Sequence, residues 1–189
     1  VVENGYDPGF APAPHTVSAP ADKPLRFAYI GTIGPRVPVE EFAMGWVEAR
    51  QSVPELAGAQ AEFFGPMSPV RGRAELVAEA EPLGLHHRGP VAKADVAGVY
   101  DEADVLLLVL GAGRFVTSGK VYEYLAAGLP IVSVHEPGNG ASDILRDYPL
   151  WFPVTDLTAG AIADALAAAA RAARSADPDL RARAVAFGE

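Results

Sequence analysis

The sequence predicts an α/β domain built on a mostly parallel sheet of six strands. Three observations carry that expectation. From Leu25 onward, strand-like and helix-like stretches alternate in six βα units. The run Val105–Leu110, V-L-L-L-V-L, is apolar without interruption, as a parallel strand covered on both faces must be. The loops after the strand-like runs are rich in glycine and several carry a basic residue, which suits ligand-facing turns.

Residues 1–24 stand apart. V-V-E-N-G-Y-D-P reads as a short strand and an Asn-Gly turn, and the Pro- and Ala-dense stretch that follows reads as a linker or a tail along a surface. His15 within it is expected to be a solvated loop histidine. L-R-F-A-Y-I-G is the first strand, ending on Gly31 before T-I-G-P-R-V-P. Val39–Gln51 is an amphipathic helix with Phe42, Trp46 and Val47 on one face. A-Q-A-E-F-F-G is the second strand, M-S-P-V-R-G-R a polar loop and Ala74–Ala80 a helix. L-H-H-R-G-P-V gives a short strand and turn, and Lys93–Tyr100 a short helix ahead of the apolar run. Pro130–Val134 is the fifth strand, Ser142–Arg146 a helical turn and L-W-F-P-V the sixth strand. Thr158–Arg174 is an Ala-rich helix, explained by propensity alone, and a further helix starts near Asp177.

Composition narrows the function classes. Half the residues are hydrophobic and 21% are charged, so the chain can build a core. A net charge of −9 argues against a nucleic-acid binder, which needs a basic face, while leaving local phosphate sites open. There is no cysteine, hence no disulfide and no thiolate chemistry. No apolar run approaches the about 20 residues that span a bilayer. The chain, which starts without Met, is expected to be a cytosolic domain cut from a longer protein.

Thr117–Val134, T-S-G-K-V-Y-E-Y-L-A-A-G-L-P-I-V-S-V, follows the apolar run and the loop G-A-G-R-F-V. A strand, a glycine loop and a helix N-terminus present free amides and the positive end of the dipole, the makings of an anion site. Ser118 can cap this helix, Lys120 adds a positive charge at its mouth, and Glu123 can accept paired hydroxyls such as those of a ribose. An ordinary, well-capped βαβ unit explains the stretch equally well. Arg36, Arg88, Arg114 and Lys120 all fall in strand-end loops, and their convergence in an acidic chain favours a phosphorylated ligand.

Other motifs fail. G-A-G-R-F-V has Val116 where a dinucleotide fingerprint needs its last glycine, and the S-G-K tail lacks the spacing of a P-loop. There is no G-x-S-x-G elbow and no H-E-x-x-H. His86, His87 and His135 read as loop or packed imidazoles, and Asp177-Pro178-Asp179 as a turn and helix cap, so no metal is assigned.

At S-G-K-V-Y-E-Y-L-A-A-G-L-P-I-V the chain resembles the group 1 glycosyltransferases of the GT-B fold. V-V-E-N-G-Y-D-P is similar to the segment where such chains pass from acceptor to donor domain, and L-R-F-A-Y-I-G-T-I-G to the donor domain's first strand and glycine loop. H-H-R-G-P-V-A-K-A-D-V-A-G-V-Y-D-E-A-D-V-L-L-L resembles the series before the donor motif, and A-V-A-F-G-E the start of the last helix. The resemblance implies a Rossmann-like three-layer α/β/α domain, the C-terminal half of a GT-B enzyme. Residues 1–24 would be the interdomain crossover and linker, and 25–189 the nucleotide-sugar domain, truncated in its last helix.

By the same resemblance, Gly31, Thr32, Gly34, Arg36, Ser118, Gly119 and Lys120 would hold the donor phosphates and Glu123 the ribose. Arg88, Gly89, Pro90 and Val91 would border the base. The implied reaction moves a sugar from a nucleoside diphosphate to a saccharide or lipid-linked acceptor, without a cofactor. In such enzymes fixed charges and helix dipoles stabilise the leaving group, and the resemblance implies the same here. Catalytic groups are expected in the absent half, and the expected location is cytoplasmic, extending to the inner membrane face for a lipid acceptor. Two positions depart from the family pattern: Thr32 stands where an Arg is common, and Phe115 stands eight places before Glu123 where a second Glu is frequent. A nucleotide-sugar epimerase and a non-catalytic nucleotide-binding or interaction domain remain as alternatives.

Overall fold

In the computed structural model, the residues described are 14–111 and 119–188. The elements run β1 (Arg26–Ile30), α1 (Val39–Ser52), β2 (Gln60–Phe64), α2 (Arg73–Ala80), β3 (Leu85–Gly89), α3 (Val96–Glu102) and β4 (Val105–Val109). They continue with α4 (Lys120–Ala127), β5 (Ile131–Val134), α5 (Gly140–Leu145), β6 (Trp151–Pro153), α6 (Ala159–Ala173) and α7 (Pro178–Gly188). The six strands are all parallel, in the order β3-β2-β1-β4-β5-β6. The sheet is therefore a Rossmann-like doubly wound one, with its order reversing between β1 and β4.

Alternation within the strands splits the core in two. Phe27, Tyr29, Leu107 and Val109 face α1, α2 and α6, where Phe42, Trp46 and Leu166 are also buried. Ala28, Leu106, Leu108 and Ile131 face the opposite layer, with Tyr100, Tyr124, Leu145 and Ala184. Where β2 and β3 meet this second layer the sheet is not sealed by apolar packing. Glu62 lies on that floor, paired with Arg26 Nη2 at 2.7 Å and with Arg88 Nη2 at 2.8 Å. Burial raises the Glu62 carboxyl pKa, but the hydrogen bonds and charges of Arg26 and Arg88 outweigh it and hold the group below its ordinary range.

Element boundaries move by a residue or two from expectation. Lys93–Asp95 is a 3₁₀ turn that leads into α3, and α5 begins at Gly140 because the Asn139 side chain caps it, accepting from the Ala141 amide at 3.0 Å. Asp177 is the expected cap of α7, with Oδ1 accepting from the Asp179 and Leu180 amides. His15 corrects the sequence reading: it is half-buried rather than solvated. Burial lowers its pKa, partly offset by a hydrogen bond to the Tyr100 backbone. The segment around it is strapped down, with the His15 amide donating to Ala127 O, the Ala19 amide to Ala173 O, and Arg174 to the carbonyls of Pro20 and Lys23. The strand and turn expected in residues 1–13 lie outside the described residues.

Candidate functional site

The crevice at the switch point starts from strand geometry. β1 and β4 pair at Phe27↔Val105 and Ala28↔Leu106. Further along, the Ile30 amide donates to the Tyr124 hydroxyl at 3.2 Å, and that hydroxyl donates to Leu107 O at 3.2 Å. A buried side chain from α4 thus stands in for the missing ladder bond, and the strands part around it. Strand order reverses here, so the β1 and β4 loops leave in opposite directions and a ligand can enter between them.

On one side lies the Gly31–Pro38 loop. The Gly31 amide donates to Phe64 O and the Ile33 amide to Pro66 O, which ties the loop to the end of β2. Gly65 allows this contact. It sits at φ +138, and a Cβ there would lie 1.9 Å from Gly31 O. The loop is shaped by Arg73, the first residue of α2, which is 2% exposed. Its guanidinium donates to the carbonyls of Gly34, Pro35 and Val37 and to both oxygens of Glu40, at 2.8 and 2.9 Å. Burial raises the Glu40 pKa, but the Arg73 hydrogen bonds and charge leave it below its ordinary value. Arg36 is exposed and lies against the exit of β4, where a Cβ on Gly111 would meet its carbonyl oxygen at 3.1 Å. A depression of about 400 Å³ opens there, bordered by Arg36, Glu40, Arg73, Leu110, Glu136 and Leu157.

On the other side, α4 opens at Lys120, with Gly119 exposed before it. Lys120 Nζ contacts Glu123 Oε2 at 2.6 Å, and the Tyr100 hydroxyl donates to the same oxygen at 2.7 Å. Both members of the Lys120–Glu123 pair are about one quarter exposed, within reach of a ligand. A helix mouth favours anions, so a lysine at its first position opposes the dipole. That placement adds little to helix stability and suits capture of a phosphate at the mouth.

Gly31, Gly34 and Arg36 thus lie in the loop after β1, and Gly119, Lys120 and Glu123 at the start of α4, the helix that follows β4. Thr32 is exposed, and its carbonyl accepts from the Tyr29 hydroxyl at 3.1 Å. Arg88 turns its guanidinium back onto Glu62, Gly89 ends β3 at φ +74, Pro90 is exposed, and Val91 lines a depression of about 480 Å³ between the sheet and α3. Ser118, Arg114, Phe115 and Thr117 lie outside the described residues. The histidines make local bonds: His86 Nε2 to Gln60 Oε1, His87 Nε2 to Gly65 O, and His135 Nδ1 to Glu136 O. Burial lowers the His135 pKa, partly offset by that last bond. Among the described residues, no three acidic or histidine side chains come together as a metal site, and no helix is long and apolar enough to cross a membrane.

Arg73, Tyr100 and Tyr124 were not singled out from the sequence. A signal existed for the tyrosines, since a tyrosine placed in a core needs a partner for its hydroxyl. Arg73 carried another, an arginine at a helix start where the dipole disfavours it.

No protein-family model matches the sequence, and no curated protein sequence matches it. Solved structures do match its fold. WaaG, a glycosyltransferase involved in lipopolysaccharide biosynthesis, aligns with a TM-score of 0.65 at 19% identity over 88% of this chain. The C-terminal domain of a group 1 glycosyl transferase, LpcC from Francisella tularensis, aligns at 0.64 and 18% identity, covering 95% of this chain and 91% of that domain. The pneumococcal O-GlcNAc transferase GtfA, in complex with UDP and GlcNAc, aligns at 0.63 and 16% identity over 94% of this chain. The chain spans 43% of WaaG and 35% of GtfA. Its fold is that of the C-terminal domain of GT-B glycosyltransferases.

Proposed function

We propose that this chain is the nucleotide-sugar-binding half of a glycosyltransferase that passes a sugar from a nucleoside diphosphate to a saccharide or lipid-linked acceptor. The observation that carries the reading is the partly exposed Lys120–Glu123 pair at the start of α4, the helix after the strand at the switch point of a sheet with this order. Lys120, the Gly119 amide and the α4 dipole serve the diphosphate together with Gly31, Thr32, Gly34 and Arg36 of the β1 loop, and Ser118, outside the described residues, is assigned to the phosphates by the family resemblance alone. Glu123 accepts the ribose hydroxyls, and the Arg88–Val91 turn borders the base. These fixed dipoles and cations are worth most as negative charge builds on the departing diphosphate. The acceptor site and the catalytic groups belong to the other half of the enzyme. The UDP bound in GtfA, which shares the fold, makes a nucleoside diphosphate the first ligand to try.

Titration of UDP, GDP and ADP into the chain by calorimetry tests the reading. One of the three should bind saturably and weakly, with no sugar transfer by the isolated chain. Lys120→Ala and Glu123→Ala should each weaken binding by about tenfold, the loss expected for a hydrogen bond to a charged group. Saturable binding by none of the three overturns the reading.

A further inference from the structure

Glu123 is meant to receive the ribose, yet its nearest cation is Lys120, which must turn to the diphosphate when a nucleotide arrives. Something else has to hold the carboxylate. Tyr100 on α3 is fully buried, packs edge-on against Tyr124 at 6.0 Å and 80°, and donates its hydroxyl to Glu123 Oε2 at 2.7 Å. This bond comes from a different helix, 23 residues earlier, so it does not depend on where Lys120 points. Burial first, and then the nearby Tyr124 and Glu123, raise the phenol's pKa far above its ordinary value, which keeps it a neutral donor at any working pH. A carboxylate with one oxygen so anchored keeps its second oxygen as a fixed acceptor.

We infer that Tyr100 is a positioning residue: its buried hydroxyl anchors Oε2 of Glu123 and so presents Oε1 to the ribose hydroxyls of the bound nucleotide. The inference rests on the donor-site reading above. It makes discrimination between ribose and deoxyribose depend on a residue that never touches the ligand.

The test measures affinities of UDP, GDP and ADP and of their 2′-deoxy counterparts for the wild-type chain, Tyr100→Phe, Glu123→Gln and the double variant. Tyr100→Phe keeps the ring contact with Tyr124 and removes the hydroxyl. Wild type should prefer the ribonucleotide by about tenfold, as one hydrogen bond to a charged group allows. Tyr100→Phe should lose most of that preference while its deoxynucleotide affinity stays within about twofold. Glu123→Gln should lose the same preference, and the double variant no more, because both changes break one unit. Equal weakening toward both sugars in Tyr100→Phe, with the preference intact, reduces Tyr100 to packing and overturns the inference alone. Wild-type binding without any ribose preference removes the ribose role of Glu123, and the inference with it, while the phosphate site stands. No nucleotide binding at all overturns both.

Discussion

Two helices at the carboxyl edge of the sheet begin alike, α2 with Gly72-Arg73 and α4 with Gly119-Lys120. Each puts a cation where the helix dipole favours an anion, and each cation finds a carboxylate. The outcomes differ. Arg73 is 2% exposed, reaches Glu40 on another helix and collects three loop carbonyls. Lys120 is 28% exposed and pairs with Glu123 three residues along its own helix. A buried guanidinium satisfied on every side acts as scaffold, since removing it strands the groups it served. A partly exposed ammonium in a pair on its own helix is less tightly committed than a fully buried one. The β1 loop is thus shaped by a buried cation, whereas the cation that opens α4 is partly exposed.

The comparison can be broken first at Gly65. Gly65→Ala drives a Cβ into Gly31 O on a backbone that L-residues rarely adopt, and it should cost about 4 kcal/mol or prevent folding, read by urea denaturation. Arg73→Met should follow. It leaves Glu40 and three carbonyls without their donor, and the loss should be about 3 kcal/mol, the lower end for breaking a buried pair because Glu40 is 30% exposed. Nucleotide binding should fall with it, as the Gly31–Pro38 loop loses its shape.

The acid limb of stability sharpens the contrast further. Glu40 and Glu62 both have native pKa values below ordinary. Their contribution is therefore complete above the unfolded carboxylate pKa and is lost as pH falls through the native values. Stability should drop as pH falls below the ordinary glutamate range, and the drop should be shallower in Arg73→Met, where Glu40 no longer has its cation. The smallest effect belongs to α4. Lys120→Ala should change stability by less than about 1 kcal/mol, in keeping with a partly exposed pair on one helix, while nucleotide affinity falls. A stability loss as large as that of Arg73→Met would erase the distinction between the two cations.

Much of the fold was legible because its signals are local. Alternating strand and helix patterns, the apolar run of β4, the Asp177 cap and the glycine loops each lie within a few residues of chain, and all six strands fall where periodicity puts them. The apolar continuity of β4 also predicted burial on both faces, and Val105–Val109 are buried throughout. The candidate site was half legible: the β4–α4 turn announced itself through glycine, lysine and glutamate in close succession. Its supports did not. Arg73 meets Gly34 across 39 residues, Tyr124 meets Ile30 across 94, and Arg174 meets Pro20 across 154. No local pattern encodes such distances.

By itself, then, the sequence determined the α/β class, the order of elements and the loop in which a phosphate ligand would be sought, since hydrophobic period and turn chemistry act over neighbouring residues. At that level Lys120 stood out as a phosphate ligand, while Arg73 read only as the end of a polar loop. The packed structure gave Arg73 its part, because burial and partners are set by what other elements bring alongside. The α1 carboxylate and the β1-loop carbonyls enclose Arg73, while Lys120 stands at the first position of α4, 28% exposed, beside a glutamate that also accepts from Tyr100.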